Sequence, residues 1–166
     1  MAIDSLKRSL LLLAFCLAQA LVLNHIHLFG YATPLLYVYF VILFPRNYPK
    51  WAILLWSFGL GLAVDMFSNT PGVAASSMTL VGFLQPMLLE PFVPRDSIEN
   101  LPVSVRSLGL AKFFTFSLML VIIYCLMFFT IEAFNFFNWQ HYLLCIGGSI
   151  ILTMILLMTL ESVRKE

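Results

Sequence analysis

The segment GLGLAVDMFSNTPG, residues 59–72, decides how this chain folds. Its first half is apolar and typical of the end of a membrane helix, yet it contains Asp65. A carboxylate at membrane depth is costly unless it faces protein or a cavity. The second half is typical of a tight turn, and Thr70-Pro71 resembles an N-cap followed by proline at the first position of a new helix. The segment therefore predicts a hairpin of two membrane helices with one acidic residue near the bend.

The position of Asp65 needs compensation, because the end of a helix carries the negative pole of its macrodipole. The free backbone N–H groups that open the next helix, from Gly72 to Ala74, form an anion site. The hydroxyls of Ser68 and Thr70 are further donors. We favour the interpretation that Asp65 binds these groups and locks the hairpin. Contact with a partner, or a proton or metal role, are alternatives that the sequence leaves open.

Small residues surround the acidic position. Ser57 and Gly61 are four residues apart, and so are Gly59 and Ala63. This spacing lets membrane helices approach closely. The following helix opens with a run of small residues within 72–77. We therefore expect the two helices of the hairpin to pack backbone to backbone.

The composition extends the membrane interpretation to the whole chain. Of 166 residues, 61% are hydrophobic and only 10% are charged, against roughly 25% charged in a soluble domain. We predict an all-α polytopic membrane protein, a single transmembrane domain over residues 1–166. Its six spans are placed at about 9–23, 32–44, 51–67, 71–89, 110–131 and 139–160, with a cytoplasmic loop at 91–109. The net charge of +1 gives no indication of nucleic-acid binding.

The distribution of charge predicts the orientation. With six spans, every basic residue falls on one side of the membrane: Lys7, Arg8, Arg46, Lys50, Arg95, Arg106, Lys112, Arg164 and Lys165. The loops NHIHLFG, SNTPG and EAFNFFN on the other side contain no Lys or Arg. Since cytoplasmic loops carry the excess of basic residues, both termini are predicted to be cytoplasmic.

Chemistry-bearing patterns are few. The outer loop contains Asn24, His25 and His27, and His side chains can bind zinc. We expect helix capping and mutual hydrogen bonds there and no metal site or cofactor. The sequence contains no nucleophile–base set with its supporting turns, no Gly-rich phosphate loop and no acidic metal cluster on the cytoplasmic side. We therefore predict that the chain is not an enzyme.

The cytoplasmic loop carries Arg95 and Arg106 beside a partial apolar stripe at helical spacing, formed by Ile98, Leu101, Val105 and Leu108. We interpret it as an amphipathic segment lying on the anionic inner leaflet. Docking of a cytoplasmic partner is the alternative.

Three segments together resemble a known family. NHIHLFGYATP, LFPRN and GLGLAVDMFSNTPG, followed by a helix of small residues, are similar to the MreD family of bacterial rod shape-determining membrane proteins, particularly its Bacteroidetes branch. The resemblance covers essentially the whole chain. Its most specific element has the pattern Gly-x-x-x-Asp-x-x-Ser-x-x-Pro-Gly, which here comprises Gly61, Asp65, Ser68, Pro71 and Gly72, with Asn69 in the same turn.

The resemblance implies a non-catalytic subunit of the cell-elongation complex in the bacterial inner membrane. Such a subunit binds the bitopic protein MreC, which links it to a class B penicillin-binding transpeptidase, the RodA glycosyltransferase and MreB filaments. From the residues themselves, we interpret the motif as a structural element or a partner contact; it comprises Gly61, Asp65, Ser68, Asn69, Pro71 and Gly72. The family is distantly similar to the S components of energy-coupling-factor transporters, which implies a compact six-helix bundle.

Vitamin uptake is the rival function that this second similarity supplies. It requires polar side chains converging at mid-depth, and the sequence offers few beyond Gln19, Gln85 and Thr115.

Overall fold

The computed structural model describes residues 2–21, 34–45, 47–93, 103–133 and 139–164, and these form helices and turns without a strand. The helices are α1 (Ala2–Leu21), α2 (Val38–Ile42), α3 (Lys50–Ser68), α4 (Val73–Leu89), α5 (Val105–Leu108), α6 (Leu110–Ala133) and α7 (Trp139–Arg164), with a 3-10 turn at Glu90–Phe92 after α4. The prediction of an all-α chain is confirmed for this part.

Among the residues that the structure describes, four helices are long and apolar enough to cross a membrane. They cover Lys50–Ser68, Val73–Phe92, Leu110–Glu132 and Tyr142–Arg164, close to the third to sixth predicted spans. The apolar part of α1, Ser9–Gln19, is shorter than the roughly 20 residues that a span needs. The chain is thus compatible with a multi-pass membrane protein, while six spans remain a prediction.

The helices α3 and α4 pack backbone to backbone, as predicted. A Cβ atom added at Gly61 would lie 2.6 Å from the Cα atom of Ala75, and one added at Gly82 would lie 2.5 Å from Oγ of Ser57. A Cβ atom added at Gly59 would have no neighbouring residue within 4 Å, because residues 59 and 61 lie on opposite sides of the helix. Of the two small-residue pairs seen in the sequence, the one that includes Gly61 forms the contact.

The bundle wraps around a short buried stretch. Helix α1 packs on α3, α3 on α4, α4 on α6, and α6 on α7. Residues 34–44, which we call the central segment, contain α2 and contact α1, α4 and α6. Every side chain of the central segment is buried except that of Leu43, which is partly buried. The apolar run predicted as a second span is therefore surrounded by protein over its described length.

The backbone of the central segment is only partly helical, so its polar groups need other partners. Irregular backbone is tolerated at membrane depth where it is buried in protein and paired. Side chains of three helices supply hydrogen bonds. Gln19 Nε2 of α1 donates to the Pro34 carbonyl (2.9 Å), and Gln85 Nε2 of α4 donates to the Phe44 carbonyl (3.1 Å). Thr153 Oγ1 of α7 accepts from Leu35 N–H (3.1 Å). Both ends of the central segment are thus fixed to the surrounding helices.

Candidate functional site

Asp65 lies in the last turn of α3 and is only 5% exposed. Its carboxylate accepts four hydrogen bonds: from Thr70 Oγ1 (3.0 Å), Gly72 N–H (3.1 Å), Ala74 N–H (2.9 Å) and Ala75 N–H (2.9 Å). The positive pole of α4 faces the same oxygens. Desolvation of the carboxylate is thereby offset by fixed donors.

The turn has this geometry because two of its residues adopt left-handed backbone conformations. Asn69 has a φ of 56° and ends α3, and asparagine tolerates this conformation better than most residues. Gly72 has a φ of 86° and is the N-cap of α4. Glycine has no side chain with which to cap the helix, and Asp65 serves instead by binding the N–H groups at the second and third positions of α4.

These bonds confirm the sequence-based expectation in part. Gly72, Ala74 and Thr70 bind Asp65 as expected, whereas the N–H group of Val73 donates to the Thr70 carbonyl (3.3 Å). Placing the start of α4 at residue 71 was wrong by two residues, because the φ of Gly72 is not helical. The bond from the residue after Ala74 was missed, and the correct N-cap assignment would have identified it.

The motif divides into a buried and an exposed part. Gly61 and Asp65 are buried in the hairpin, and Ser68 is partly buried. Asn69, Pro71 and Gly72 are exposed at the bend. The buried residues hold the two helices of the hairpin together, and the exposed Asn69 and Gly72 give the bend its left-handed backbone.

The remaining predicted positions have different outcomes. Asn24, His25, His27 and Arg95 lie outside the described residues. Arg106 is exposed on α5. Within the ranges that the structure describes, no group of three or more His, Cys, Asp or Glu side chains comes together.

The apolar stripe of the loop at 91–109 is only partly within the described residues. Ile98 and Leu101 lie outside them, whereas Val105 and Leu108 are partly buried and pack against the hydrophobic core. The amphipathic interpretation stays a prediction, and the described part of the stripe contacts protein on one side.

A second buried carboxylate was missed by sequence reasoning. Glu161 near the end of α7 is 4% exposed. Its Oε1 accepts from Val105 N–H (2.9 Å), its Oε2 accepts from the Tyr39 hydroxyl, and Arg164 Nη1 lies 3.7 Å from Oε2. The only sequence signal was an acidic residue within the otherwise apolar run before the basic C-terminus. Buried charges require such partners.

The three polar side chains that the sequence offered for a small-molecule site each donate a hydrogen bond to a backbone carbonyl of the chain. Gln19 and Gln85 hold the central segment, and Thr115 Oγ1 donates to the Ala111 carbonyl one turn earlier (2.9 Å). The hydroxyls of Tyr37 and Tyr124 bond to each other in the interior. These hydrogen bonds all connect groups of the chain with one another.

Comparison of the chain with family models, with curated proteins and with solved structures finds no match.

Proposed function

We propose that this chain is a non-catalytic, MreD-like subunit of the complex that elongates the cell wall at the bacterial inner membrane. In this proposal it holds MreC in the membrane and so positions the class B penicillin-binding transpeptidase, RodA and MreB. Six spans with both termini in the cytoplasm are part of this proposal. The observation that carries the proposal is that three interior side chains, Gln19, Gln85 and Thr153, bind the chain's own backbone.

This observation favours a scaffold over a carrier. A carrier of small molecules presents convergent polar groups to a cavity. Here Gln19, Gln85 and Thr153 hold the central segment in the middle of the bundle. We infer that the chain acts through its outer surface, by binding other membrane proteins.

The hairpin supports the same proposal. Four hydrogen bonds to Asp65 fix the turn, and fixed backbone presents its exposed residues in one arrangement. Asn69 and Pro71 are the exposed side chains of that turn. Preorganised surface of this kind lowers the entropy cost of association.

Charge supports the proposed orientation. Lys50 opens α3, Lys112 lies in the first turn of α6, and Arg164 ends α7. Because α3–α4 and α6–α7 are hairpins, these three exposed residues share one end of the bundle with Arg106 of α5. That end is the cytoplasmic one under the positive-inside rule.

The test is to purify the tagged chain from its native membrane after mild cross-linking and to identify the proteins that accompany it by mass spectrometry. We expect MreC together with the elongation synthases. Recovery of an energising ATPase pair, or of a bound vitamin without MreC, would overturn the proposal in favour of uptake.

A matched pair of variants locates the contact. Asn69→Gly removes an exposed side chain while keeping the left-handed backbone, and Ser162→Ala changes an exposed residue near the other end of the bundle. If the turn contacts MreC, only Asn69→Gly lowers its recovery at unchanged yield of the tagged chain.

A further inference from the structure

Residues 103–109, which we call the strap, dock onto the end of the bundle where α7 ends. Val103 is only 2% exposed, and Val105 and Leu108 pack against the hydrophobic core. Apolar burial of this kind holds a surface segment in place.

The strap is also folded within itself. Ser104 caps the short helix α5 by accepting from Ser107 N–H (3.3 Å), and Ser107 Oγ accepts from Ser104 N–H (3.1 Å). This reciprocal arrangement satisfies donors that the first turn would otherwise leave open. Gly109, with a φ of 84°, ends the strap and leads into α6. The strap is therefore folded as one small unit.

One carboxylate joins the strap to the interior of the bundle. Oε1 of Glu161 accepts from Val105 N–H in the strap, and Oε2 accepts from the hydroxyl of Tyr39 in the central segment. Arg164 lies 3.7 Å from Oε2 with 45% of its side chain exposed, so it offsets the charge only in part. The ring of Tyr39 also contacts Phe15 of α1 at 5.9 Å between centroids, which extends the connection to a further helix.

The two bonds depend on each other because they share one buried anion. A buried carboxylate that loses a donor is left with an unsatisfied oxygen, and this is costly. Each donor therefore holds the carboxylate in the position that the other donor needs.

We propose that Glu161 is a latch that couples the position of the strap to the central segment. When the strap lifts, Tyr39 loses the fixed position of its acceptor, and when the central segment shifts, the strap loses its anchor. By linkage, anything that binds the lifted strap loosens the centre of the bundle, and the reverse holds with the same free energy. The inference rests on these contacts alone and does not depend on the proposed function.

The test measures how fast a buried position of the strap becomes accessible. The reporter is Val103→Cys in the full chain in detergent micelles, labelled with a water-soluble maleimide-polyethylene glycol. Ser162→Cys, at an exposed position, sets the rate for full accessibility. The native cysteines Cys16, Cys125 and Cys145 are buried, and the chain without a reporter gives their background.

We expect slow labelling of the reporter in the otherwise unchanged chain. Glu161→Ala should accelerate it roughly tenfold or more, since hydrogen bonds to a charged group are the strong ones. Tyr39→Phe, which removes only the hydroxyl, should also accelerate it, and Ser162→Ala should not. The double variant Tyr39→Phe with Glu161→Ala should be labelled no faster than Glu161→Ala alone, because both act through one carboxylate.

Three results overturn the latch. They are an unchanged rate in Glu161→Ala, an unchanged rate in Tyr39→Phe, or fully additive effects in the double variant. All rates are taken on the monodisperse fraction from gel filtration. If Glu161→Ala yields no such fraction, Glu161→Leu replaces it. Leucine accepts from neither donor, so the same acceleration is expected and its absence counts against the latch.

Discussion

Replacing Asp65 with alanine tests whether its carboxylate holds the hairpin together. The change removes all four hydrogen bonds to the carboxylate. Thr70 and Gly72 lie near the exposed bend and regain partners from water, whereas Ala74 and Ala75 are buried. An unpartnered buried N–H group costs about 1–3 kcal/mol, so the two together lower the free energy of unfolding by about 2–6 kcal/mol.

The measurement is reversible unfolding in mixed micelles of increasing denaturing detergent, together with the folded yield from membranes. Asp65→Asn should fall between the parent chain and Asp65→Ala, because one oxygen remains while the amide N–H₂ group faces other donors. Glu90→Ala removes an exposed carboxylate at the opposite end of α4 and should change the free energy by less than about 0.5 kcal/mol. Normal stability and yield of Asp65→Ala with loss of the recovered partner would refute the reasoning and assign Asp65 to partner contact.

Three further substitutions, two of them with a matched control, test the helix contact, a buried hydrogen bond and the turn with the same unfolding measurement. Gly61→Ala forces a methyl group against the backbone of α4 and should lower the free energy of unfolding by about 1–3 kcal/mol. The control Gly59→Ala lies on the open face of α3 and should be neutral or stabilising. Equal effects of the two variants would contradict the backbone contact. Gln85→Leu leaves the Phe44 carbonyl without its donor and should lower the free energy of unfolding by about 1–3 kcal/mol. The control Thr115→Val should change it little, because the Thr115 hydroxyl bonds within its own exposed turn. Equal effects of the two variants would argue against the role of the Gln85 amide. Gly72→Ala should cost about 1–2 kcal/mol because its φ of 86° is strained for alanine, and an unchanged midpoint would exclude that conformation.

The hairpin could be predicted from the sequence because its interactions are local. The carboxylate of Asp65 and its farthest donor, Ala75, are ten residues apart. Turn residues, helix caps and small-residue spacing act over this range and leave a pattern in the chain. The start of α4 was placed two residues too early because these local rules are ambiguous there. A Thr-Pro-Gly sequence satisfies the rules for an N-cap at more than one position.

The burial of the central segment could not be predicted from the sequence, because its hydrogen-bond partners are far away along the chain. Leu35 bonds to a residue 118 positions away, and Tyr39 to one 122 positions away. An apolar run of this length satisfies the requirements of a short span and of a buried core segment equally well. Only the three-dimensional arrangement decides whether lipid or protein covers it.

The polar residues of the interior change how function should be sought in this protein. An ionisable or polar side chain within a membrane segment is a functional candidate by default. Asp65, Gln19, Gln85 and Glu161 instead each bind backbone groups of the same chain, which is the role that irregular backbone at membrane depth requires of its neighbours. Substitutions at these four positions are therefore expected to report stability first. Binding is better sought by scanning exposed positions, where a change in partner recovery is not confounded by loss of the fold.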